Sequence, residues 1–207
     1  MFDSYDQIFA RRADRYGDAM AMCPEARAAE FAAVASPIGP DARNLFDMPA
    51  GGGWLRKYLR GDIHYVAVEP AVHFFDSCPD EPGAERINSA IETVPRKTGV
   101  ADVVVSLTGL HHAPDLGAVF DEFRRLLRPG GLLVIADVAR ASAPARFLDG
   151  YVHANSPMGH VGRFLDAETA PLLRAAGFNI VADELVEVPW RFADPVEAGA
   201  YTRLRRA

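Results

Sequence analysis

Three glycines in a row, Gly51-Gly52-Gly53, lie between two distinct runs. Before them, Asn44-Leu-Phe-Asp47 reads as a buried strand; after them, Trp54-Leu55-Arg56 reopens as a helix. Glycine lets backbone N–H groups approach a ligand closely, and a helix N-terminus favours negative charge. A second apolar run, Val66-Ala-Val, then ends on Glu69 and Pro70. In a parallel α/β sheet an acid there can accept hydrogen bonds from a ribose diol. Together these features predict a nucleoside cofactor. They leave its identity open: dinucleotide folds use G-x-G-x-x-G, and here Arg56 stands where the third glycine would fall. A glycine turn that binds nothing also suits these residues.

Two later segments narrow the choice. Ala101-Asp-Val-Val-Val-Ser-Leu-Thr-Gly-Leu-His-His112 and Leu126-Leu-Arg-Pro-Gly-Gly-Leu-Leu-Val-Ile-Ala-Asp137 resemble the fourth and fifth strands of class I S-adenosylmethionine (SAM)-dependent methyltransferases. The likeness is to the branch with the ubiquinone and menaquinone C-methyltransferases. It is good from Asn44 to Asp137 and looser to Val188. The resemblance implies SAM as cofactor, with S-adenosylhomocysteine as product. It places Asp47 beside the methionine amino group and passes Pro49, Ala50, Gly51 and Gly53 under the cofactor. Pro49 replaces the family's usual first glycine, so one loop contact must differ. Glu69 and Pro70 would hold the ribose. The adenine site lacks the family's acid and falls to Ser89, Ala90 and Ile91, while Ser106, Leu107 and Thr108 would line the methionine half.

Methyl transfer from a sulfonium asks mainly for alignment and water exclusion. A base is needed only where the acceptor holds a proton that ambient pH does not remove. His111, His112 and His160 are the candidate catalytic residues, with His153 a further titratable neighbour. The insert Arg140–Phe164 carries Tyr151, His153, Asn155, Met158 and His160 among glycines and prolines. An insert after the fifth strand lies above the carboxyl ends of the sheet, where ligands bind. The acceptor pocket is therefore expected between His111, His112, Tyr151, His153 and His160, closed by a lid carrying Tyr5, Phe9, Arg11 and Tyr16. No metal is expected, because adjacent histidines diverge and no His-x-x-x-His pair or cysteine supports them. A nicotinamide oxidoreductase is the weaker alternative: Tyr151 is followed by Asn155, not by the lysine of a Tyr-x-x-x-Lys pair. Intramolecular cyclisation of SAM, or SAM binding without catalysis, also stays open.

At 207 residues the chain is expected to be one domain, and its 49% hydrophobic and 24% charged residues are ordinary for a globular protein. A net charge of −6 and the lack of a basic stripe argue against nucleic acid. Cys23 and Cys78 are too few for a disulfide framework and suit a reducing cytoplasm. No signal peptide is read at the N-terminus, and no apolar run approaches the about 20 residues that span a bilayer. A small-molecule acceptor is the expected partner; a homodimer is open.

The expected elements follow from periodicity. Two helices fill residues up to 36, with Pro24 in the first turn of the second. Strands fall near 44–48, 64–69, 86–89, 102–107 and 131–137, and helices at 115–128 and 167–176, the latter with Asp166 as N-cap and Gly177 past its end. Residues 179–188 and 198–206 read as two further strands in an antiparallel hairpin. The expected fold is α/β: a seven-stranded, mostly parallel Rossmann-like αβα sandwich with a C-terminal hairpin and an N-terminal helical cap. Within it, 1–40 form the lid, 41–139 the SAM-binding core, 140–165 the acceptor-side insert and 166–207 the C-terminal helix and hairpin.

Overall fold

The computed structural model describes residues 13–155, 160 and 162–204; Tyr5, Phe9, Arg11 and Met158 lie outside them. Its centre is a five-stranded parallel sheet in the order β3-β2-β1-β4-β5. The strands are β1 (Asn44–Asp47), β2 (His64–Val68), β3 (Ala84–Ile87), β4 (Ala101–Leu107) and β5 (Leu127–Ala136). Near-continuous apolar runs such as Val103-Val104-Val105 form central strands because both faces are covered, so no polar face alternates with the apolar one.

The helices are α1 (Ala13–Met22), α2 (Ala28–Ala35), α3 (Val72–Ser77), α4 (Leu116–Leu126), α5 (Ala143–Phe147), α6 (Thr169–Ala175) and α7 (Pro195–Leu204). Leu45, Val103 and Val105 face α1, α2 and Tyr201 of α7, whereas Phe46, Val66 and Val104 face the buried stripe of α4. That stripe is the expected one, and Asp115 caps it by accepting from Gly117 N (2.9 Å) and Ala118 N (3.2 Å). Asp166 accepts from Glu168 N (3.0 Å) just before α6, and Gly177 takes φ +86 just after it. Pro24 lies in the turn between α1 and α2 rather than inside α2.

The C-terminal segment corrects the expectation of seven strands and a hairpin. Among the described residues, 179–188 pair with no strand: Asp183-Glu184 interrupts the alternation, and Val181 and Leu185 are 87% and 79% exposed. The expected last strand is instead helix α7. Asp194 accepts from Val196 N (2.7 Å) and Glu197 N (2.9 Å), while Glu197 Oε2 accepts from Ala193 N (2.5 Å). Asp-Pro followed by Glu is a helix-start signal, and it prevails over the weak strand pattern. Tyr201 then enters the core fully buried, with its hydroxyl 3.4 Å from Met20 Sδ of α1.

Candidate active site

An open cleft of about 2610 Å3 runs over the carboxyl ends of β1 and β4 and along the whole of β5, where residues 179–188 also line it. The carboxyl ends are the edge where a parallel sheet presents loops rather than side-chain layers. Asp47, Pro49, Ala50 and Gly51 line it from β1; Leu107 and Thr108 line it from β4. Gly51 has φ +54, and a Cβ built there meets nothing within 4 Å, so this glycine faces open space. Gly53 is different. It has φ +73, and its Cβ would lie 2.3 Å from Pro79 Cδ, so the closest approach is to the protein's own chain. Gly109 serves Pro49 likewise: a Cβ there would stand 2.3 Å from the proline Cγ. The Pro49 ring thus packs against a bare backbone on the facing loop.

Glu69 is wholly buried at the end of β2. Its Oε2 accepts from Gly51 N (2.8 Å) and its Oε1 from Ala71 N (2.9 Å), so the carboxylate ties the glycine loop to the second strand. Asp47 is buried beside it and accepts from the Tyr65 hydroxyl at 2.6 Å. Burial pushes the Asp47 carboxyl up to about 8, with Glu69 adding to the rise against the Tyr65 hydrogen bond. Burial with the same two acids nearby pushes the Cys78 thiol up to about 12, leaving it an inert core group.

Several expected positions do not reach the cleft. Pro70 is absent from the lining, and Asn88 Nδ2 donates to the carbonyls of Glu69 (2.8 Å) and Pro70 (3.1 Å). The Ser89 hydroxyl donates within its own turn, to Ala90 O (3.0 Å) and Thr93 O (2.9 Å); Ala90 is exposed and Ile91 is in the core. Ser106 points to the α4 face, fully buried, with its hydroxyl lacking a hydrogen-bond partner among the described residues.

The histidines do converge. His111 and His112 sit in a short turn at Leu110–His112 after β4, their rings 4.0 Å apart. His160 comes from the insert, 5.8 Å from the His111 ring and 6.0 Å from that of His112, and stacks on Phe164. All three line the cleft. His111 Nδ1 is 2.6 Å from Oδ1 of Asp137, whose side chain is completely buried. Asp137 also accepts from His111 N (3.2 Å) and Val138 N (2.7 Å). The sequence reading omitted Asp137, although an acid ending the fifth strand repeats the placement of Asp47 and Glu69. From the insert, α5 runs on through a π-helical turn (Leu148–Val152), and Phe147, Leu148 and Val152 face the cleft. Tyr151 stacks on Phe147 at 5.4 Å outside the lining, and His153 is exposed, bracketing the His160 backbone through Nδ1.

The roof is a polar cluster that no sequence pattern announces. Arg27, buried just before α2, bonds to the Glu30 carboxylate and the Tyr16 hydroxyl, and to Thr108 Oγ1 at 3.2 Å. The Trp190 indole donates to the other oxygen of Glu30. Burial alone would lower the Arg27 pKa, but Tyr16 and Glu30 raise it above its ordinary value. Tyr16 packs edge-on to Phe74 at 5.2 Å and joins the lining.

A family model described as a methyltransferase domain matches residues 21–183. The chain belongs to this family. The uncharacterized protein YafE of Escherichia coli is 28% identical over 138 residues, covering 62% of this chain and 65% of that protein. The Ubiquinone biosynthesis O-methyltransferase of Xanthomonas axonopodis is 29% identical over 180 residues, covering 76% and 72%. The crystal structure of a SAM-dependent methyltransferase of Thermotoga maritima shares the fold, with TM-score 0.70 and 23% identity over 84% of this chain and 81% of that one. This methyltransferase-domain chain spans 65% of YafE and 49% of an uncharacterized methyltransferase of Mycobacterium sp. that it also matches.

The family implies SAM, and the residues fit it. Gly51 opens onto free space beside Asp47, and the walls are Pro49, Ala50, Leu107 and Thr108. The Glu69 carboxylate is wholly buried outside the cleft lining and reaches the cleft only through its bond to Gly51 N. No group of three or more metal-ligating side chains occurs among the described residues, and no described helix is long and apolar enough to cross a membrane.

Proposed function

We propose that this chain transfers a methyl group from SAM to a small-molecule acceptor whose nucleophile carries a proton, with His111 as the base that removes it. When bound, SAM supplies an activated methyl on a sulfonium. Asp47, Pro49, Ala50, Gly51, Leu107 and Thr108 would hold its methionine half, and Glu69 its ribose.

The observation that carries this reading is the pair of His111 and Asp137. Asp137 already accepts two backbone amides, and as a carboxylate its contact with the ring requires the proton on Nδ1. That leaves the lone pair on Nε2, which has no hydrogen-bond partner among the described residues, for a ligand. A histidine so oriented accepts a proton while the buried carboxylate stabilises the imidazolium formed. The charge of −6 and a cleft bounded by the insert suit a metabolite better than a nucleic acid. The Xanthomonas relative is named an O-methyltransferase, and a hydroxyl acceptor is one that asks for a base. In this reading residues 13–35 act as the lid and 140–165 as the acceptor wall of one catalytic unit.

The test is incubation with SAM and a panel of hydroxylated small molecules, with mass spectrometry for methylated product and S-adenosylhomocysteine. Asp137→Asn and His111→Ala should each cut turnover by about 10²-fold or more and leave S-adenosylhomocysteine affinity within about threefold. Full turnover by both variants rejects His111 as base. Product formed from SAM alone would point to cyclisation instead.

A further inference from the structure

We propose that the π-helical turn of the insert builds a subsite for an aromatic ring, so that the acceptor deprotonated at His111 is a phenol rather than an alkyl alcohol. This deepens the reading of His111 as base and rests on it.

An α-helix continuing from α5 would carry Phe147 and Val152, five residues apart, to different faces. The π turn over Leu148–Val152 instead bonds residues five positions apart, so these two fall one above the other. Both line the cleft, with Leu148 between them. Such turns are rare, and they stand frequently at functional sites. Phe147 is 43% exposed at this wall. Tyr151, outside the lining, stacks on its ring at 5.4 Å with the planes 21° apart, which holds the ring in orientation.

Two contacts tie the turn to the histidines. Asp149, within it, has Oδ1 3.1 Å from His160 Nδ1, and His153, just past it, accepts at Nδ1 from His160 N at 3.1 Å. The His160 ring is in turn 5.8 Å from that of His111. The apolar wall and the base are thus braced against each other within one cleft.

The chemistry of the base points to the same class. A phenol has a pKa of about 10, whereas an alkyl hydroxyl lies near water at about 15.7. Proton loss to an imidazole is therefore more favourable for the phenol by about five orders of magnitude. In the transfer the phenolic oxygen bonds to the methyl carbon, the carbon–sulfur bond breaks with its electron pair left on sulfur, and the proton passes to His111 Nε2. An aryl methyl ether and S-adenosylhomocysteine result. A flat ring also gains an offset or edge-on contact with Phe147 that a saturated ring lacks.

The test measures binding of 2-naphthol and of its saturated counterpart, decahydro-2-naphthol, by titration calorimetry on protein saturated with S-adenosylhomocysteine. The unaltered protein should prefer 2-naphthol by about fivefold or more, the scale of a favourable ring–ring contact. Phe147→Leu keeps an apolar side chain at a partly exposed position and removes only the ring. It should cut that preference to about twofold or less and leave S-adenosylhomocysteine affinity within about twofold. Turnover with SAM and a mixture of aryl and alkyl hydroxyl compounds should yield aryl methyl ethers by mass spectrometry. No binding of either probe, no preference between them, a preference that Phe147→Leu retains, or alkyl ethers as the main products would overturn the subsite. His111 as base stands or falls separately, on its own variants. Failure to bind S-adenosylhomocysteine removes the SAM reading instead, and the two probes titrated without it then still decide the subsite.

Discussion

Asp47 and Glu69 stand side by side, fully or nearly fully buried, and their environments set them to different tasks. Asp47 is raised from 3.8 to about 8, so the folded protein keeps this proton over a range in which the unfolded chain has lost it. Its contribution to stability is therefore full below about pH 4 and declines as pH rises through about 8. Thermal unfolding across that window should show a fall in midpoint with pH that Asp47→Asn flattens; parallel curves would place the titration elsewhere. Glu69 acts through its two backbone amides. Glu69→Ala strands both, at about 1–3 kcal/mol each. Chemical denaturation should register that loss, and calorimetry a drop in S-adenosylhomocysteine affinity of about tenfold or more. Unchanged affinity in a folded variant would separate Glu69 from the ribose.

The loops that follow β1 and β4 meet where Gly109 makes room for the Pro49 ring, and their glycines serve different neighbours. Gly51 faces open space, so Gly51→Val should spare much of the fold, apart from the strain of φ +54, and block cofactor binding. Gly53→Val should instead unfold or strongly destabilise the protein, since Pro79 occupies the place of its side chain. Circular dichroism and binding measured together tell these apart, and equal behaviour of both variants would contradict the assignment. The pairing of Pro49 with Gly109 is open to a double-mutant cycle. Gly109→Ala should cost about 1–3 kcal/mol by overpacking. Adding Pro49→Gly removes the obstructing ring and should recover part of that cost, whereas strict additivity would mean that the rings and loops are uncoupled.

On the scale of the molecule, the C-terminal segment is fastened to the N-terminal helices. Tyr201 fills the space between α7 and α1, with Trp190 at 5.6 Å and Phe192 at 5.2 Å from its ring. Trp190 bonds to Glu30, and Arg191 N donates to Ala26 O at 3.0 Å, so residues near 190 are fastened to the turn that carries Arg27. Tyr201→Ala should cost about 3–5 kcal/mol, as loss of a large core aromatic does. It should also speed hydrogen exchange of residues 13–35 more than that of β1 and β4. Uniform deprotection would mean that the N-terminal helices unfold only with the sheet.

The parallel core was legible in the chain because its signals are local. Apolar runs, the Asp115 cap, Gly177 and the glycine loop each act within a few residues, and the structure has β1 through β5, α4 and α6 close to where the pattern sets them. The C-terminus was not: the valines of 179–188 suggested strands, but strand formation depends on a partner edge, and Asp194-Pro195 started a helix instead. The site divided the same way. That Asp47, Glu69 and the histidine pair fall at strand ends could be read from the sequence, because one edge of a parallel sheet gathers every such end. That Gly53 serves Pro79, that Glu69 holds the loop, that Asp137 orients His111 and that Arg27 roofs Thr108 are contacts between residues distant along the chain. Nothing in the spacing of residues encodes such contacts. They exist only once the layers have packed and buried groups must find partners wherever the fold has brought one within reach.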